Sequence, residues 1–233
     1  MKISPPWSHG SALSRRSNAG QRAVNSRRPA SNIEPSMSVE RAPQLISVGE
    51  FARGLCEIPD EDFHIGTVYD FVAAHPVDER SLDPYLFFSS NHYTRNLIFK
   101  DDRFELMAIC WDIGQESQIH NHHNQSCWMA IPTGRLRVQN FRVLEHDAPA
   151  GYCKLEPTNS FDIHRLVPAE VDPTEPVHQV LNLAEFNQRA VSLHVYSRPF
   201  DRCLVYCMET CEYREVPLHY TSEYGKLCPG ERL

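Results

Sequence analysis

Three histidines fall within four residues, at His120, His122 and His123, and a lone cysteine, Cys127, follows them. Imidazoles ligate first-row divalent metals, and side chains two apart on a β-strand share a face. His120 and His122 are therefore predicted to grip one ion side by side, while His123 points away. A third ligand must come from a second direction, and His146, His164, His178 and His194 are the candidates. By itself an HxH pair more often belongs to polar strand residues than to a metal, so the surrounding spacing has to decide. Ser192, His194 and Tyr196 are also spaced by two, which places all three on one face of a strand. Cys127 lies an odd step from His122, so a turn or bulge at Asn124–Gln125 is needed to bring it to the metal side.

These residues need elements to hold them. The chain has 233 residues, 41% of them hydrophobic, which suits one core domain plus an appendage. LISVGEFARGLCEI (45–58) and GTVYDFVAAH (66–75) carry apolar residues at helical spacing, with Asp60 or Asp62 near the turn between them. After Asn91 the texture changes to short strands with polar turns: NLIFKDDRFELMAICW as two strands around KDDR, CWMAIPTGRLRVQNFRVL as two around Pro132-Thr133-Gly134, then HQVLNL, AVSLHVYS and LVYCMET. No βαβ rhythm and no repeat accompany them. The expected fold is mainly β, a small jelly-roll-like barrel over residues 43–233 behind a short N-terminal helical segment.

Charge and cysteine usage narrow the setting. Net charge is −7, but residues 1–41 hold seven basic and two acidic side chains, a net +5 that leaves −12 for the remainder. An acidic domain is a poor partner for nucleic acid. No apolar run reaches the length of about 18 residues that suggests a membrane helix. Residues 1–42, rich in Ser, Arg, Pro and Asn, read as a disordered tail; their composition also fits an organelle transit peptide, and Met37 is an alternative start. The eight cysteines include no CxxC pair, so reduced thiols and a cytoplasmic setting are expected, and Cys207 with Cys211 lacks the second ligand pair of a zinc site.

The spacing around the histidines is specific. Gly114, five residues, His120-Asn121-His122, four residues, Cys127, six residues, Gly134 resembles the first motif of the cupin superfamily, where a glutamate normally stands in place of Cys127. His178-Gln-Val-Leu-Asn182 resembles the end of the second cupin motif and selects His178 as third ligand. HYTRNLIF (92–99), LMAICW (106–111), SQIHNHHNQSCW (117–128), HQVLN (178–182) and AVSLHVYSRPFDRC (190–203) together resemble the cysteine dioxygenase family of thiol dioxygenases, over roughly residues 45 to 211. That resemblance implies Fe(II) on His120, His122 and His178, and L-cysteine and O2 as substrates. It implies that Arg95 holds the substrate carboxylate, a bidentate match for a guanidinium, with Tyr93 beside it. It also implies a Ser192–His194–Tyr196 relay and a thioether crosslink between Cys127 and Tyr196.

The family's usual Tyr-Ser-Pro-Pro run is here Tyr196-Ser197-Arg198-Pro199. Arg198 is reminiscent of the branch that prefers 3-mercaptopropionate, whereas Arg95 and Cys127 point to cysteine. Reaction on L-cysteine is the expectation; oxidation of 3-mercaptopropionate or another thiol acid, and a non-catalytic metal- or ligand-binding cupin, are the alternatives. A monomer is expected.

Overall fold

The structure is a computed structural model and describes residues 44–165, 168–171, 176–231 and 233. The tail expected over 1–42 lies outside them. Helix α1 (Val48–Glu57) starts at a capping box: Glu50 N–H donates to Ser47 Oγ at 3.2 Å and Ser47 N–H donates to Glu50 Oε2 at 2.8 Å. Its buried face is Val48, Phe51 and Leu55, and each large side chain so covered contributes about 1.5–3 kcal/mol. Its C-terminal carbonyls are met by Arg103, which donates to Ile58 O at 2.8 Å and Cys56 O at 3.0 Å. Helix α2 (Ile65–Ala74) follows a short 3-10 turn, Asp60–Asp62, and buries Val68 and Val72. Both helices match their sequence expectation. A longer 3-10 segment, Glu79–Tyr85, has no helical apolar stripe to announce it.

The remaining elements are strands: β1 (Thr94–Lys100), β2 (Phe104–Trp111), β3 (Ile119–His120), β4 (Cys127–Thr133), β5 (Arg135–Asp147), β6 (Tyr152–His164), β7 (Ala169–Glu170), β8 (Val177–Leu181), β9 (Ala190–Ser197), β10 (Arg202–Cys207), β11 (Glu212–Pro217), β12 (Ser222–Glu223) and β13 (Lys226–Leu227). One sheet runs β13-β12-β1-β2-β9-β4-β7, and the other closes on itself in the order β10-β11-β6-β5-β8-β3. Met107, Ile109 and Met129 of the first sheet share a buried cluster with Leu136, Val138 and Val180 of the second, so the sheets pack face to face. The helices cover the other side of the first sheet, which is why β2 is buried along its whole length. This is the mainly β, cupin-type barrel with a helical lead-in that the sequence suggests.

Two motif glycines have a backbone reason. Gly114 and Gly134 both sit at φ 81°, and a Cβ on Gly134 would stand 2.5 Å from Arg189 O. Strands β6, β7, β11, β12 and β13 are additions to the sequence reading, and strand β3 is a correction to it. Strand β3 ends at His120, so His122 lies just beyond it. The chain then turns, with His123 and Asn124 at φ 48° and 63° and Gln125 N–H donating to His122 O at 2.8 Å. That turn, at the place parity demanded, resets the phase before Cys127 opens β4.

Candidate metal centre and substrate pocket

Register brings the third histidine in. His120 on β3 is the direct partner of His178 on β8, and ring centroids of His120, His122 and His178 lie 4.6, 4.8 and 5.1 Å apart. One ligand atom from each falls within 4.8 Å of the others. His146, His164 and His194 do not join them. His146 bonds Tyr213 at 3.2 Å on an exposed stretch of β5, His164 pairs with Arg135 at the end of β6, and His194 takes a different role described below. His123 turns outward, 3.6 Å from Glu215.

The cluster fits a divalent cation. His120 Nδ1–H donates to Gln118 O at 2.8 Å, since a carbonyl only accepts, and this leaves the Nε2 lone pair facing inward. His122 Nε2 stands 3.3 Å from it. His122 Nδ1 is buried with no partner in either tautomer, so the contact is open to an N–H···N hydrogen bond or to two facing lone pairs. As two lone pairs it needs positive charge between them. Burial drives the imidazolium form of all three histidines down, to about 4 for His120 and well below the usual histidine value for His122 and His178. Neutral imidazoles are the ligating form. Among the described residues no carboxylate joins the set.

His120 and His122 line a cavity of about 70 Å³, room for several waters or one small molecule. Arg95, Tyr93, Trp111, Tyr196, Phe200 and Cys203 are among its walls. Tyr93 stacks on Trp111 at 4.7 Å. Arg95 Nε is buried with no hydrogen-bond partner, a free donor on a guanidinium that lines the cavity.

Facing the histidines, β9 presents Ser192, His194 and Tyr196. Trp111 Nε1–H donates to Ser192 Oγ at 2.9 Å, Ser192 Oγ is 2.8 Å from His194 Nε2, and His194 Nδ1 is 3.0 Å from Tyr196 OH. The whole chain is buried. Burial lowers His194 to about 3 and holds the Tyr196 phenol well above its usual value, with further upward pushes from Cys127 and Glu105. A neutral imidazole between two hydroxyls relays in either tautomer, since Trp111 only donates and leaves Ser192 free to donate or accept. Cys127 is the direct cross-strand partner of Tyr196 and its Sγ lies 3.8 Å from His194 Nδ1. Their side chains therefore share a face.

Trp111, Phe200 and Cys203 all lie inside stretches that carried the family resemblance, but nothing in their own spacing marked them as lining the site. Tyr220 and Glu105 carried no sequence signal at all.

A cupin-type barrel with three histidines converging beside a buried serine–histidine–tyrosine chain defines a metalloenzyme scaffold. The family profile Cysteine dioxygenase type I matches residues 50–209, and the chain belongs to that family of oxidoreductases. Cysteine dioxygenase type 1 of Danio rerio is 30% identical over 145 residues, covering 62% of this chain and 70% of its own length. The Homo sapiens protein of the same name is 28% identical over 171 residues, covering 73% and 83%. Among solved structures, a Klebsiella pneumoniae protein with a double-stranded β-helix domain covers 50% of this chain and 81% of its own at 14% identity and TM-score 0.40.

Proposed function

We propose that the chain is a thiol dioxygenase that converts L-cysteine and O2 to cysteine sulfinate at an Fe(II) ion held by His120, His122 and His178. The observation that carries this reading is the clustering of three neutral imidazoles, two of which (His120 and His122) line a small cavity that also holds a free guanidinium, Arg95, and a buried phenol, Tyr196. The reaction balances without another reductant: the thiol sulfur gives up four electrons, O2 accepts four, both oxygen atoms end on sulfur, and the proton stays on the product acid. A ferrous ion bound by neutral ligands alone would keep its full charge, favour a thiolate, and bring thiolate and O2 together.

The protein's own groups do the rest. Arg95 takes the substrate carboxylate in a bidentate pair, and its unpaired Nε is a donor still to be used. Tyr93, stacked on Trp111, forms the wall beside it. His194, fixed from behind by Ser192 and Trp111, aims the Tyr196 hydroxyl and holds or shares its proton at Nδ1. Tyr196 keeps its proton at neutral pH and acts as a hydrogen-bond donor next to the reacting sulfur. Cys127 and Tyr196, directly opposed across β4 and β9, are the residues of a thioether whose formation removes two hydrogen atoms with O2 as their acceptor.

Two features favour this reading over its alternatives. Arg198 is exposed and lines a surface pocket with Asp60, Phe63, Asp102 and Arg103, so its side chain is outside the cavity and Arg95 remains as the arginine for the substrate. A binder without catalysis has no use for a buried proton relay. The test is anaerobic loading with Fe(II) followed by O2 uptake with L-cysteine and with 3-mercaptopropionate. Uptake with L-cysteine that yields sulfinate supports the reading. An iron-replete protein that forms no sulfinate rejects it, and a larger kcat/KM for 3-mercaptopropionate moves the chain to that substrate.

A further inference from the structure

Beside Arg95, in a pocket that adjoins the cavity and shares Tyr93, Gln118 and Leu218 with it, lies a half-buried tyrosine. Tyr220 comes from the segment that follows β11, beyond the residues the family profile matches. That segment is tied to β1 around Arg95 itself: Thr221 N–H donates to Arg95 O at 2.7 Å, Arg95 N–H donates to Thr221 Oγ1 at 3.3 Å, and β12 then pairs with β1 in parallel, Asn96 opposite Ser222. The guanidinium carbon of Arg95 lies 6.0 Å from the Tyr220 ring centroid, within cation–π reach. Arg95 lines both the inner cavity and an outer pocket, and Tyr220 lines only the outer one.

Tyr220 is itself anchored. Its hydroxyl donates to Glu105 Oε2 and accepts from Lys100 Nζ at 3.2 Å. Glu105 is fully buried on β2 and opposes Lys100 on one side and Tyr196 on the other. A buried carboxylate is costly, and one with an unpartnered oxygen, as Oε1 is here, more so. The Tyr220 hydroxyl, the Arg95 charge at longer range and Lys100 at 3.9 Å compensate it. Arg95 makes no ion pair with Glu105 among the described residues. That matters for binding, because a direct pair would occupy the N–H edges of the guanidinium. An aromatic face holds the cation and leaves those edges free.

We propose that Tyr220, locked by Glu105, is a positioning residue for substrate recognition: its ring backs the Arg95 guanidinium and presents the free N–H fork to the carboxylate of a thiol acid. This rests on the reading of Arg95 as the carboxylate clamp.

The test is calorimetric titration of the ferrous protein without O2, using L-cysteine and 2-aminoethanethiol, which lacks the carboxylate. Tyr220→Leu removes the ring and is expected to weaken L-cysteine about tenfold, the scale of one desolvated cation–π contact, while leaving 2-aminoethanethiol unchanged. Tyr220→Phe and Glu105→Gln keep the shape but break the anchor, and both fall between wild type and Tyr220→Leu for L-cysteine alone. Arg95→Gln is run in parallel. If Arg95→Gln weakens L-cysteine selectively and Tyr220→Leu does not, the proposal is overturned and the clamp stands. If Arg95→Gln weakens both thiols equally, the clamp reading falls and this proposal with it. Wild-type binding in both Tyr220→Phe and Glu105→Gln would overturn the role of Glu105.

Discussion

His120 and His178 stand directly opposite each other across β3 and β8, with ring centroids 4.6 Å apart. They are far apart in sequence, and the pairing of these two strands makes them neighbours. Since β3 pairs with β8 on one edge and β10 on the other, the strand that carries His120 is held from both sides. His120→Ala or His178→Ala is expected to reduce iron content from near one per chain to near zero, a larger loss than the about 10–100-fold affinity cost of a missing outer-shell partner. His123→Ala, whose ring faces Glu215, leaves iron content unchanged. Metal analysis after dialysis reads all three variants.

Tyr196 is oriented through His194 and is not exposed to solvent. Tyr196→Phe is expected to lower kcat about a hundredfold, the low end for a positioned proton donor, with iron content and the KM for L-cysteine nearly intact. Trp111→Phe, which removes the donor to Ser192 and keeps most of the packing, lowers kcat in the same direction and by less. Steady-state O2 uptake on iron-matched samples checks both.

The opposed pair Cys127 and Tyr196 predicts a mass change. After aerobic turnover the intact chain is expected to be lighter by two hydrogen atoms, and Cys127→Ala and Tyr196→Phe each abolish that loss. Unchanged mass in wild-type protein after many turnovers removes the crosslink from the site.

Arg198 offers a test of substrate preference. With its side chain on the outer surface, Arg198→Ala is expected to leave the ratio of kcat/KM for L-cysteine and 3-mercaptopropionate unchanged, whereas Arg95→Gln lowers kcat/KM for both, since each carries the carboxylate it would hold.

The long β5–β6 hairpin carries a pH-dependent contact. Asp162 accepts from Arg137 Nε at 2.7 Å and from Nη2 at 3.2 Å, and this pairing holds its carboxyl below the usual aspartate value. A depressed folded-state value stabilises the native chain above the unfolded value of about 3.9 and is lost as pH falls through the folded one. Asp162→Asn is therefore expected to cost about 1 kcal/mol at neutral pH, and the difference from wild type shrinks in acid. Urea melts at neutral pH and below about pH 4, where the paired carboxyl begins to protonate, measure it.

Much of this was legible from residue order. Both helices, β1, β2, β4 and β9 announce themselves by period and turn residues, and the His120–Cys127–Gly134 spacing marks the first half of the metal site. Strand β6 did not, because Cys153, Leu155 and Ile163 are its only fully buried residues and no regular alternation of buried and exposed positions runs through residues 156–160 between them. The choice of third ligand among four histidines needed either family likeness or the β3–β8 register, since local spacing cannot count across strands. The Glu105–Tyr220 contact is hidden for the same reason: 115 residues separate two side chains whose types fit many surface roles.

The claim that three neutral histidines, Arg95 and Tyr196 form a thiol dioxygenase centre is tested most directly by turnover of L-cysteine by iron-loaded protein under isotopically labelled O2, with mass analysis of the product. The expected result is cysteine sulfinate with both oxygens from O2, abolished in His178→Ala. Product carrying oxygen from water, or disulfide as the sole product, would contradict it.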